Sequence, residues 1–327
     1  MKKFSLQSIT DFFVNHPLVN RTIEWSQNHS LPGFFKVPIY DVAVFLYHES
    51  KRYDLFTRAN SIAFNYFLSL FPSLMAFFTL IPLFKRMFIQ YLPEGENFDL
   101  YLRSEIQRIM PGVAGERLFS FVDDITNNPR FDLLSFGFIL AVFFASNGML
   151  ALMQGFEKSY KKTFRQRGEF RKRLIAIVLT FQMGVLVIAA VILIILGEFL
   201  FNLLFGLVQL DQFTEITLQF LRWVAIIMLF YFGIAIIYRY GASTIKRFKI
   251  FSPGATLATI LCILSSLVFS FYVNEFSTYN ELYGSIGAII VLMLWIQIIS
   301  LILLVGFELN ASIAINRDLK EEIEEEL

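Results

Sequence analysis

The stretch YGSIGAIIVLMLWIQIISLILLVGFELNA, from Tyr283 to Ala311, decides the fold class. It opens on small residues, runs through more than one membrane thickness of apolar positions, and closes on an acid, Glu308, beside Asn310. About 20 residues at 1.5 Å each cross a hydrocarbon core of roughly 30 Å, so this is a membrane span. A carboxylate just inside the end of such a helix is costly without a partner, which makes Glu308 either an anchor or a functional group.

Working outward, the rest of the chain has the same character. It is 327 residues long, 56% hydrophobic and 17% charged, with 39 Phe, and is too apolar for an ordinary soluble domain. Six apolar segments stand out, at about 59–84, 131–156, 174–206, 216–238, 253–273 and 284–314. They predict an all-α polytopic membrane protein with six transmembrane helices. The third segment is longer than a bilayer needs, so it is expected to tilt, to kink near Gly197 or to project beyond the lipid. Pro72 in the first is expected to kink its helix, and Ser252-Pro253 suits the start of the fifth.

The division expected is an N-terminal interfacial segment, 1–57, a transmembrane domain, 58–315, and an acidic tail, 316–327. In the first, Ile39, Val42, Ala43 and Leu46 share a helical face suited to the bilayer surface. Within the second, 85–130 is a large outer connection in which Leu118, Phe121, Val122 and Ile125 share a face and Pro111-Gly112 separates two short helices. The N-terminus has no apolar core of the signal-peptide kind. No internal repeat supports an inverted-repeat transporter.

Orientation follows from the loops. Residues 157–173 carry eight basic side chains and the loop after the fourth segment adds Arg239, Lys246, Arg247 and Lys249. The alternate loops, 207–215 and 275–283, carry no Lys or Arg. Twelve against none places both termini on the cytoplasmic side. Lys161, Lys162, Arg165 and Arg247 are then candidate contacts for anionic lipid headgroups. Tyr160, Phe164 and Phe170 are interleaved with these charges, but orientation and lipid account for the loop without nucleic acid.

Candidate chemistry is sparse. His16, His29 and His48 show no metal-binding spacing, no nucleophile elbow or P-loop occurs, and the single Cys262 lies in an apolar segment. Neither an enzyme, a metal nor a cofactor is expected. Counting rise per residue, Asn65, Asn147, Gln182 and Glu308 fall about 9–14 Å from the inner edge of their helices. With Asn310, they are either a shared polar cavity open to the cytoplasm or separate interhelical glue, at roughly 0.6 kcal/mol per bond. In the cavity reading, Glu308→Gln impairs function and leaves the fold intact. Glu198 and Arg222, near the outer surface, are expected to form a structural ion pair. Small residues Ala255, Thr259, Cys262, Ser266 and Ser270 form a packing stripe, and self-association is left open.

At these positions the chain resembles a known family. ANSIAFNYFLSLFPSL (59–74), SPGA (252–255), FSFYVNEFSTYNELYGSIGAIIVLMLW (269–295) and GFELNA (306–311) are similar to the YihY/BrkB membrane proteins, in order and spacing from about residue 40 to 314. The family is linked to virulence and serum resistance, and some members to envelope lipid handling, so the resemblance implies a helical protein of a bacterial inner membrane concerned with lipid or envelope transport. Members once carried the label ribonuclease BN, which nothing in these residues supports. The function expected is transport or flipping of a lipid or amphiphilic anion, with a non-transporting envelope scaffold as the alternative and a ribonuclease third.

Overall fold

The computed structural model describes residues 17–30, 33–34, 37–52, 55–87, 103, 116, 119–120, 123, 131–207, 212–275 and 278–326. Within them, side chains are described outside 17–20, 49–52, 71, 74–87, 131–137, 191–192, 194–207, 212–215, 218–219, 273–288 and 324–326. Eight helices form among the described residues: α1 Pro17–Asn28, α2 Ile39–Arg52, α3 Leu55–Met87, α4 Phe131–Gly155, α5 Glu169–Leu207, α6 Gln212–Ile236, α7 Pro253–Glu275 and α8 Thr278–Glu326. The last six coincide with the six apolar segments. Five of them, α4 to α8, are long and apolar enough to cross a membrane by length and composition. The sixth, α3, is a 33-residue helix that runs unbroken through Pro72 and Pro82.

Length explains the extremes. α5 has 39 residues and α8 has 49, which at 1.5 Å per residue is about 58 and 74 Å, well beyond a 30 Å core. α5 therefore projects at the basic end through its polar first turn, Glu169 to Arg173. α8 projects through Asn316 to Glu326, so residues 316–326 of the expected acidic tail continue α8 as helix.

α3, α4, α7 and α8 make the packed centre, with α3 on α4 the most extensive pairing. Half of the Phe138–Gly155 stretch of α4 is buried against 11% of Glu169–Ala190 in α5, so α5 is peripheral and largely faces lipid. The core lies at the basic end. Phe307 of α8 stacks on Phe156 at 4.3 Å, and Phe164 and Phe248, from the two basic loops, meet its ring edge-on at 6.2 and 6.3 Å. The loops are thus folded back into the bundle by their aromatic residues. An antiparallel bridge, Phe164 to Thr244, ties one loop to the other, with Arg165 N donating to Ser243 O and Ile245 N to Thr163 O.

α2 also departs from the expected lipid-facing role. Val42, 2% exposed, packs with Phe34, Val37 and Ile313, and Phe45 meets Tyr160 at 5.8 Å. The apolar face at Ile39 and Val42 covers α8 instead of lipid, while Ala43 is exposed. Most of 85–130, including Leu118 and the Pro111-Gly112 break, lies outside the described residues. Within it Arg103 pairs with Glu116 at 2.8 Å.

α7 and α8 approach closest where Gly254 faces Gly306. A Cβ on Gly254 would collide with Gly306 O, and one on Gly306 would lie 2.5 Å from Tyr238 Oη and 2.7 Å from Gly254 O. Only glycine fits at either position.

Candidate functional site

Glu308 sits on α8 with 1% of its side chain exposed, between two cations. Arg58 Nη1, from the first turn of α3, donates to Oε1 at 2.9 Å, and Lys158 Nζ, just past α4, lies 2.7 Å from Oε2. The Lys158 side chain has no exposure. α3, α8 and the end of α4 are thus joined through one carboxylate. In a low-dielectric setting such a cluster persists only because each charge has a partner. Sequence reading identified Glu308 but neither cation; the signal was Arg58 and Lys158 standing at the same end of the bundle as Glu308.

The other expected cavity residues go elsewhere. Asn310 Oδ1 accepts from Gly254 N at 2.8 Å and its Nδ2 donates to Ser252 Oγ at 3.0 Å, so it caps the N-terminus of α7 from α8. Asn65 Nδ2 donates to Ser61 O, one turn back on its own helix. Asn147 Oδ1 accepts from Arg173 Nη1 at 2.6 Å, while Nη2 donates to Phe143 O and the guanidinium lies 3.7 Å from the centre of the Phe143 ring. Gln182 lies on α5 with yet another set of neighbours. Among the described contacts the five residues thus do not meet in one cavity: each has its own partners.

What does form is a pocket of about 450 Å³ at the basic end, open on one side and lined by Arg165, Arg167, Arg171, Leu174, Ile175, Val178, Leu179, Gln182, Tyr240 and Arg247. Its apolar wall is one face of α5, since Leu174, Val178 and Gln182 recur every four residues. Leu174 and Val178 are 48% and 62% exposed, so this face meets lipid. Its polar end is built by the two bridged loops. α6 ends in a π turn, Ile237–Gly241, which places Tyr240 at the rim and leaves the carbonyls of 240–242 to be capped. Arg167 caps them: Nη1 donates to Tyr240 O and Gly241 O at 3.0 Å each, and Nη2 to Ala242 O at 2.7 Å. Its buried Nε has no acceptor among the described residues. Arg247 lies 5.0 Å from the Tyr240 ring centre. Burial first, and then the positive charges of Arg165, Arg171 and Arg247, press the Arg167 pKa below its ordinary value.

Charge is distributed unevenly around this pocket. Lys158 pairs with Glu308, Lys162 with Glu322, Lys172 with Glu157 and Glu169, and Lys246 with Glu321. Thr163 Oγ1 adds a bond to Asp318 at 2.8 Å. Among the described residues no carboxylate pairs with Arg165, Arg167, Arg171 or Arg247. Of the four expected headgroup contacts, Arg165 and Arg247 thus line the pocket, Lys162 is tied to α8, and Lys161 is exposed outside it. Arg167 and Arg171 were missed as site residues because a run of basic residues does not reveal which members the acidic turns of α8 neutralise. The proposed partner of Arg222, the Glu198 side chain, lies outside the described residues. No group of three or more His, Cys, Asp or Glu suited to a metal occurs among the described residues.

Comparison with known proteins agrees with this architecture. Residues 46–326 match the family described as Virulence factor BrkB. The chain is 30% identical over 266 residues to a putative ribonuclease-like protein, YfkH, of Bacillus subtilis, covering 81% of this chain and 92% of that protein. It is 25% identical over 202 residues to a UPF0761 membrane protein of Idiomarina loihiensis, covering 61% of this chain and 68% of the other. No solved structure matches. Spanning helices, loop-built basic end and near full-length match together make this chain a multi-pass membrane protein of the BrkB family.

Proposed function

We propose that the protein binds a lipid or amphiphilic anion at the arginine pocket and moves it between leaflets of a bacterial inner membrane. The observation that carries this reading is the pocket's composition. Four guanidiniums without a carboxylate partner among the described residues adjoin an apolar wall that opens towards lipid. Such a site suits a molecule with a charged head and a hydrocarbon body, because burying either end alone leaves the other half of the site unsatisfied. The loop charges support a pocket at the cytoplasmic surface, with both termini on that side. The ribonuclease-like name borne by the Bacillus relative finds no catalytic constellation to support it among the described residues here.

The test is reconstitution of the full chain into vesicles carrying fluorescent anionic lipid, with externally added reductant bleaching the outer leaflet. The expected outcome is bleaching beyond one leaflet at a rate that rises with protein per vesicle. Rates equal to protein-free vesicles would sink transport; retained lipid with no exchange would favour the scaffold reading.

A further inference from the structure

We infer that the pocket selects a doubly charged phosphomonoester headgroup over a singly charged phosphodiester, with the lipid chain lying along the exposed face of α5. The inference rests on the reading of the pocket as a lipid-anion site and gives that site a headgroup class. Three independent features carry it.

The first is the sorting of cations. The basic ends of these helices could be explained by orientation alone, but orientation makes no distinction between lysine and arginine. Here Lys158, Lys162, Lys172 and Lys246 are neutralised by carboxylates and Lys161 lies exposed outside the pocket, whereas the four pocket cations are all arginines without a carboxylate among the described residues. A planar guanidinium offers two parallel donors to two oxygens of one phosphate, which an ammonium cannot. The second feature is the held geometry. Arg167 is fixed by three carbonyls and keeps a buried N–H without an acceptor, and Arg247 stands beside the Tyr240 ring. Arg167 is thus held in place before any ligand arrives, with Arg165, Arg171 and Arg247 lining the same pocket around it. A phosphodiester brings one negative charge to this cluster and a monoester brings nearly two, with three terminal oxygens in place of two. The third is the shape. From Arg171 to Gln182 the α5 face runs about 16 Å at 1.5 Å per residue, enough to seat the first part of a chain below the headgroup. A volume of about 450 Å³ takes a phosphate and its glycerol or alcohol linkage, not a large glycan.

The experiment is a lipid titration of the purified full chain followed by native mass spectrometry. It uses phosphatidic acid against phosphatidylglycerol of identical chains, with glycerol 3-phosphate as a soluble competitor. The expected result at pH 8 is retention of phosphatidic acid at least about tenfold better, narrowing at pH 5 as the monoester loses its second charge near pH 6. Arg165→Gln with Arg247→Gln should abolish the preference. Both side chains are exposed, so a thermal melt should stay unchanged. Lys162→Gln with Lys246→Gln should leave the preference intact. Equal retention of the two lipids, or loss of the preference in the lysine variant alone, overturns the inference. Competition by glycerol 3-phosphate as strong as by the lipid overturns the chain placement on α5. These outcomes are separable from transport: exchange of phosphatidylglycerol without monoester preference sinks only this inference, and preference without exchange sinks only transport.

Discussion

Two charged clusters lie at the same end of this bundle and behave oppositely. Around Glu308, two cations close on one buried carboxylate and the charges are spent on each other. In the pocket, four arginines gather with no carboxylate among the described residues, and the charge remains available. The contrast reverses the intuition that an acid within a membrane helix is the functional group and that basic loop residues are only topological. Burial between two cations suits Glu308 to a structural role, whereas the arginines, with no carboxylate among the described residues, are the proposed binding surface.

The largest expected effect comes from breaking the first cluster. Glu308→Gln leaves the buried Lys158 and the partly exposed Arg58 facing each other across a neutral amide, without compensation. Removing one member of a buried ion cluster costs about 3–5 kcal/mol. The variant should lose a corresponding part of its unfolding free energy in detergent. Lys158→Met leaves the Arg58–Glu308 pair neutral and should cost clearly less. Equal tolerance of both variants would contradict a structural role for this ion cluster and return Glu308 to a functional role. This reverses the sequence-based expectation that Gln would spare the fold.

An intermediate effect is expected where helices touch. Gly306→Ala drives a methyl group towards Tyr238 Oη and Gly254 O, so α7 and α8 must separate. Overpacking of this kind costs about 1–3 kcal/mol. The Tyr238 hydroxyl, which donates to Leu303 O at 2.7 Å, should be displaced as well. A melting temperature equal to that of the parent chain would show that the contact is looser than described.

These cases show what the sequence could carry. The spanning helices were legible because twenty apolar residues in a row have few other uses, and the basic end because charges are counted directly. α8 was read as stopping near Ala314, since the pattern turns acidic there, yet helical backbone continues because Asp318, Glu321 and Glu322 find partners on the loops. Depth along a helix was computable for Asn65, Asn147, Gln182 and Glu308, but depth is not azimuth. Which face each residue presents depends on how all the helices rotate against one another, and that placed Asn147 towards Arg173 and Glu308 towards Arg58. Thr163 and Asp318 are separated by 155 positions, and no local pattern announces their bond. The arginine pocket stayed hidden for the same reason: recognising unpaired charge requires knowing every pairing.

The smallest expected effect lies between the two clusters, where the last turns of α8 meet the basic loops. Glu321 pairs with Lys246 and Glu322 with Lys162, all of them partly or largely exposed. Exposed pairs contribute at most about 1 kcal/mol and are screened by salt. Replacing both acids by Gln should therefore barely change the melting temperature. It should nevertheless raise anionic-lipid retention, because Lys162 and Lys246 then add their charge to a region already rich in arginine. The gain should be less than about tenfold and should fade as ionic strength rises past 0.15 M, where the Debye length is about 8 Å. A loss of several kcal/mol in stability would make this helix end part of the core. A fall in lipid retention would mean that these acids help to shape the pocket, and the division between a neutralised scaffold and an uncompensated site would have to be redrawn.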